Sequence, residues 1–140
     1  MQCVYGLDQA VCAWVAARVP YLTGFGPSVA VGVARGSVIV AGIVWHAYSP
    51  TQPGGNIEVT MAADSAMWLR PRILTELLNY PFKQLGCHRI TAVVARKNKR
   101  SRRFVEHFGF KLEGVVRQGF GQEDAMIYGM LRSECRWLKE

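Results

Sequence analysis

The sequence predicts one α/β domain, and three observations carry that expectation. Valine-rich runs of strand length alternate with segments whose apolar residues recur at three- and four-residue intervals. Proline, glycine and asparagine stand at the junctions where caps and turns require them. One helical segment leads into a short apolar run, the pattern of a crossover onto a parallel strand buried on both faces. At 140 residues the chain can enclose one sizeable core, and it carries no repeat or linker. Residues 1–140 are therefore expected to form a single unit.

Each element has a local reason. Asp8 is expected to cap a first helix, Gln9 to Val19, with Val11, Trp14, Val15 and Val19 as its apolar stripe and Pro20 as its stop. Ser28 to Ala34 and Val38 to Tyr48 read as strands, joined by a hairpin turn at Arg35, Gly36 and Ser37. Two prolines and two glycines make the segment from Ser49 to Gly55 a flexible surface loop. Asn56 to Ala62 is the next strand. Pro71 suits the first position of a helix running to about Leu85, which Pro81 should kink and Gly86 should close. Arg89 to Ala95 is the buried strand. Asn98 then caps a helix in which Phe104, Val105 and Phe108 form the apolar stripe, and Gly109 ends it. Strands Phe110 to Arg117 and Ala125 to Leu131 form a hairpin. A last helical turn, Arg132 to Leu138, should pack Trp137 on the body.

Composition excludes several classes. Half the residues are hydrophobic and 19% are charged, which is not the balance of a disordered chain. No run reaches the roughly 18 apolar residues of a membrane span, because Asp8 and Arg18 interrupt the N-terminal stretch, and no signal-peptide layout is present. Cys3, Cys12, Cys87 and Cys135 form neither a CxxC pair nor a metal-ligand spacing, so they read as reduced thiols of a cytoplasmic protein. The formal charge is +7, and six of the 17 basic residues (Arg96, Lys97, Lys99, Arg100, Arg102 and Arg103) lie in one run. That run is either a solvated helix face or a site for an anion, namely cofactor phosphates or nucleic acid.

From Asn98 to Arg117 the chain reads Asn-x-x-Ser, an amphipathic helix, Gly109-Phe110, then Glu113-Gly-Val-Val-Arg117. This order resembles the C-terminal half of the GNAT (Gcn5-related N-acetyltransferase) fold, especially its RimJ/RimL-like branch. The likeness extends over nearly the whole chain, with a shortened N-terminal region. It implies a single GNAT-like domain, a mixed central β-sheet with helices on both faces. It also implies that strands 56–62 and 89–95 splay apart around the thioester of acetyl-CoA or another acyl-CoA.

The resemblance suggests site residues one by one. Members of the family hold the cofactor pyrophosphate on a glycine-rich turn at the start of the long helix, where backbone amides attract anions. Here the aligned segment, Trp68 to Glu76, has Arg70 and Arg72 in place of both glycines, and Pro71 removes one amide donor. Either the arginines hold a phosphate through their side chains, or the fold has been reused without that site. Glu58 stands where the family often carries a general base. Amides at Thr60 to Ala62, with Thr60 and Ala62 as the named contacts, would polarise the thioester carbonyl. Asn98 and Ser101 would approach the pantetheine arm. The family's tyrosine acid is replaced by Val105, which leaves Tyr128 as a substitute. His46 alternates in phase with Tyr48, and His46, Glu58 and Asp124 are a candidate polar cluster, with a metal as an open reading.

Two functions follow from this pattern. The first is acyl transfer from acyl-CoA to a primary amine. The second is modification of a DNA base such as adenine, as in the Mu-type Mom proteins and other phage-encoded GNAT-like proteins. The lost glycines, the +7 charge and the basic run favour the second, and Trp45, Tyr48 and Trp68 are candidate rings to stack a base taken out of the duplex. A GNAT-like domain that only binds nucleic acid or a partner is a third reading. The expected partners are an amine-bearing substrate or DNA, with no membrane, and a homodimer is left open.

Overall fold

The computed structural model describes residues 1–19 and 24–138. Seven strands and three α-helices follow in the order β1 (Gln2–Val4), α1 (Asp8–Ala16), β2 (Ser28–Arg35), β3 (Val38–Ser49), β4 (Asn56–Ala63), α2 (Pro71–Asn79), β5 (Arg89–Ala95), α3 (Lys99–Phe108), β6 (Lys111–Phe120) and β7 (Glu123–Leu131). They form one mixed sheet, β1-β2-β3-β4-β5-β7-β6, in which β4 and β5 are parallel and every other pair is antiparallel.

Strand alternation sorts the side chains onto two faces. On one face Ile43, Trp45, Ile57, Val59, Ile90, Ala92, Met126, Tyr128 and Met130 pack against α2 and α3. The helices meet them with Ile73, Leu74, Leu77 and Leu78, and with Val105 and Phe108. On the other face Ala30 and Val44 meet Val11 and Val15 of α1. Gly42 allows that approach, since a Cβ there would stand 2.5 Å from Val15 Cγ2 and 3.2 Å from Val11 Cγ1.

Several expected elements differ in their ends. Helix α1 is shorter than the expected 9–19, and Asp8 does not cap it. The Asp8 carboxylate instead accepts a hydrogen bond from Ala30 N at 3.1 Å, tying the helix to β2. Pro20, the expected stop, lies outside the described residues. Pro81 does not simply kink the long helix. It has no N–H to continue the ladder, so the chain widens into a π-helical turn, Tyr80–Gln84, closed by Leu85 N donating to Tyr80 O at 3.0 Å. Strand β1 was not foreseen, because three residues are too few for a periodic signal. The loop before β4 is pinned: Gly54 N and Gly55 N both donate to His88 Nδ1, at 3.2 and 3.0 Å.

Other elements stand where expected. Strand β5 has the predicted bounds. Asn98 caps α3 by accepting from Ser101 N at 3.1 Å, and Gly109 ends it at φ 113°. Trp137 packs back on the body and donates to Phe108 O at 2.6 Å. All four cysteines are free. Among the described residues no helix is long and apolar enough to cross a membrane.

Candidate functional site

Strands β4 and β5 run side by side only at first. Their pairing covers Asn56–Arg89 to Val59–Ala92, after which β4 continues to Ala63 and β5 to Ala95 without each other. A cleft of about 240 Å³ opens between the diverging ends. It is lined by residues 59–63 and 92–95, by Asn98, Arg100, Ser101, Phe104 and Val105 around α3, by Arg18 and Val19 after α1, and by Phe120.

Ladder parity identifies the backbone groups that face this gap. In antiparallel pairing a residue directs its N–H and C=O to the same neighbour, and alternate residues do so to alternate sides. Asp64 N donates to Val40 O at 2.9 Å, so Asp64, Ala62 and Thr60 address β3. The amides of Met61 and Ala63 therefore point into the gap. Arg96 N donates to Asp124 O at 2.9 Å, so on β5 Val93 and Ala95 address β4; the Val59–Ala92 pairing uses the Val93 N–H, which leaves the Ala95 amide facing the gap. The expected amide donors Thr60 and Ala62 do line the cleft, but their N–H groups are directed to β3. Met61 lies inside the expected stretch Thr60 to Ala62, whereas Ala63 and Ala95 were missed. Strand alternation could have found them only once one ladder bond was known.

On the face that carries α1, the side chains of Asn56, Glu58 and Thr60 stand in a row along β4. His46, directly opposite Glu58 on β3, joins them. Its Nε2 shares a 2.8 Å hydrogen bond with Thr60 Oγ1, and its Nδ1 is 3.7 Å from Glu58 Oε2. The Phe25 ring covers the imidazole at 5.4 Å between centroids. Burial holds the His46 pKa below the ordinary histidine value, against an opposing pull from the Glu58 carboxylate. His46 is thus biased to the neutral, proton-accepting form.

Of the expected His46–Glu58–Asp124 cluster, His46 and Glu58 come together and Asp124 stands apart. Asp124 pairs with Arg96 at 3.2 Å and accepts from Gln118 N at 3.0 Å. It is level with Arg96, whereas Glu58 is level with Thr91, so about 16 Å of strand separates them. Among the described residues no group of three His, Cys, Asp or Glu could hold a metal ion. Tyr128 is fully buried and does not line the cleft. Its hydroxyl accepts from Arg102 Nε at 3.0 Å and donates to Glu106 Oε1 at 3.2 Å beneath α3. Val105, at the position of the family's acid, does line the cleft.

The basic run divides in two. Arg96, Lys97 and Arg102 have partners within the molecule, Asp124, Glu123, and Tyr128 with the Arg96 carbonyl, although Arg96 and Lys97 remain exposed. Lys99, Arg100 and Arg103 are exposed, and of these Arg100 lines the cleft. Arg70 and Arg72 do not line it. Arg70 Nε donates to Met67 O at 3.3 Å, and Arg72 donates to Met1 O. Both are exposed at the first turn of α2, whose N-terminus has no side-chain cap. At the cleft mouth Arg18 pairs with Asp64 at 2.8 Å and holds its carboxyl below the usual range. Two of the three candidate stacking rings are unavailable, since Trp45 is 3% exposed and Trp68 is 0% exposed. Tyr48 is exposed.

A family model described as an acetyltransferase (GNAT) domain matches residues 8–111. Among solved structures, the chain is similar to the ribosomal-protein-S5-alanine acetyltransferase of Vibrio fischeri, with 17% identity over 80% of this chain and 64% of that one, at TM-score 0.64. Mycobacterium smegmatis RimJ in complex with CoA-disulfide gives 18% identity over 90% and 61%, also at TM-score 0.64. The spermidine N-acetyltransferase of Vibrio cholerae in complex with CoA and spermine gives 16% identity over 78% and 68%, again at TM-score 0.64. Likeness at such identity establishes the fold. The chain spans 61–64% of the length of the first two. No curated protein matches it.

Proposed function

We propose that this chain, which belongs to the GNAT acetyltransferase family, moves an acyl group from acyl-CoA to a primary amine across the gap between β4 and β5. One observation carries the reading: the β4–β5 ladder ends at Val59–Ala92 while both strands continue. The amides of Met61, Ala63 and Ala95 are thereby left without a strand partner, and a pantetheine arm carries amide groups to meet them. The fit extends to charge, since the Arg100 guanidinium at the cleft and Arg70 and Arg72 at the uncapped start of α2 suit phosphate groups. The acceptor follows from chemistry and from the relatives, two of which are named for spermidine and for an alanine of a ribosomal protein.

Acyl-CoA supplies an electrophilic thioester carbonyl, and the rest of the work falls to this chain. An amide directed into the gap, that of Met61 or Ala63, polarises the carbonyl oxygen. The acceptor arrives at the polar row, where the Glu58 carboxylate draws in the ammonium and takes its proton directly or through a water. His46, biased to its neutral form, stands beside Glu58 to receive that proton, and Thr60 fixes the ring. The freed nitrogen lone pair attacks the carbonyl carbon, the carbon–sulfur bond breaks, and the surplus proton left on the nitrogen passes to water. A thiol with a pKa of about 8.5 leaves readily as thiolate, which suits a cleft with Val105 in place of an acid.

The test is Glu58→Gln, assayed with acetyl-CoA against spermine and an alanine-initiated peptide. Turnover should fall roughly 10²–10⁴-fold, with CoA affinity unchanged. Equal turnover removes Glu58 from the chemistry. Absence of turnover with every acyl-CoA, beside a new nucleoside in plasmid DNA from expressing cells, would replace this reading with DNA modification.

A further inference from the structure

The hairpin between β6 and β7 is not a plain turn. Pairing passes from Val116–Ala125 directly to Phe120–Glu123, so Arg117, Gln118 and Gly119 bulge out opposite Asp124 alone. Three observations fix that bulge. Gln118 has φ 54°, in the left-handed region that a side chain rarely adopts. Its N–H donates to Asp124 Oδ1 at 3.0 Å, and Asp124 is braced by Arg96 at 3.2 Å. Gly119 lies against the sheet, where a Cβ would come within 2.6 Å of Ala125 Cβ.

Ala125 pairs with Ala95, and both alternate with residues that face α2 and α3. The bulge therefore folds over the opposite face of the sheet. From there the half-buried Phe120 becomes a wall of the cleft. Phe104 and Val105 close the same gap from the α3 side, so the gap is bounded by apolar groups on both faces.

Resting on the acyl-CoA reading above, we propose that Phe120 is a specificity residue that limits the length of the acyl group seated between β4 and β5, with Asp124 as its positioning residue. A phenyl ring fixed by a braced bulge fills the space into which a longer chain would extend. Removing it opens an apolar pocket in which each added buried methylene is worth about fourfold in affinity.

The experiment is calorimetric titration of acetyl-CoA and butyryl-CoA into the wild type, Phe120→Ala, Phe120→Leu and Asp124→Ala. Butyryl-CoA, with two more methylenes, should gain about fifteenfold over acetyl-CoA in Phe120→Ala relative to the wild type. Phe120→Leu should gain less in the same direction, and it serves as the test if the alanine variant does not fold. Asp124→Ala should shift the same ratio, whereas equal weakening of both ligands would contradict its positioning role. An unchanged ratio in both Phe120 variants, with acetyl-CoA still bound, overturns the inference and leaves the acyl-CoA reading intact. A wild type that binds neither ligand overturns both.

Discussion

His46 illustrates how a residue's neighbours set its chemistry. Burial lowers its pKa more than Glu58 raises it, so the folded state favours the neutral ring. The sign of the pH effect follows. With the folded pKa below the unfolded value of about 6.5, the unfolded chain binds more protons between the two, and stability rises with pH there. This contribution is complete above about pH 6.5 and is lost as pH falls through the folded value. His46→Gln should therefore flatten the fall in melting temperature on acidification below about pH 6.5. A slope equal to that of the wild type would show that the ring does not titrate this way. His46 was legible as a histidine in an apolar strand, and Glu58 through the family resemblance. Their approach was expected as part of a larger cluster, and the β3–β4 register is what realises it. Asp124 looked equivalent in sequence and stands in another network, because the hairpin bulge decides what it touches.

Elements were legible where a local cause acts alone. The Asn98 cap and the Gly109 terminus bound α3 as expected, and the apolar run Arg89–Ala95 is β5. Elements that depend on distant partners were harder. Strand β1 exists because β2 offers it an edge, from Gln2–Ala34 to Val4–Gly32. The turn at Pro81 became π-helical because the missing N–H is accommodated by a longer i to i+5 bond. Packing between elements makes its own prediction. Helix α1 rests on β3 through Gly42, where an added methyl would meet Val15 at 2.5 Å. Gly42→Ala should destabilise the fold by about 1–3 kcal/mol, since overpacked cores must shift backbone or rotamers. Urea unfolding measures it, and a midpoint within error of the wild type would mean that α1 moves away freely.

At the scale of the molecule, the sheet is one continuous surface with one interruption, and the function is assigned to that interruption. The net charge of +7 does not by itself select a nucleic-acid partner. Three of the six clustered cations have partners within the molecule, two of the three candidate stacking rings are buried, and Arg100 opens onto the cleft. A ligand held at 100 times its dissociation constant should stabilise the fold by about 2.7 kcal/mol, a gain readable as a higher melting temperature with CoA. The most direct test of the account is isothermal titration of CoA into the wild type and into Ser101→Trp, which fills the cleft from α3. The account predicts one CoA bound per chain by the wild type, weakened at least about tenfold in the variant, a loss of about 1.4 kcal/mol. Absence of binding by the wild type, or equal affinity in the variant, would contradict the assignment of the β4–β5 gap as the acyl-CoA site.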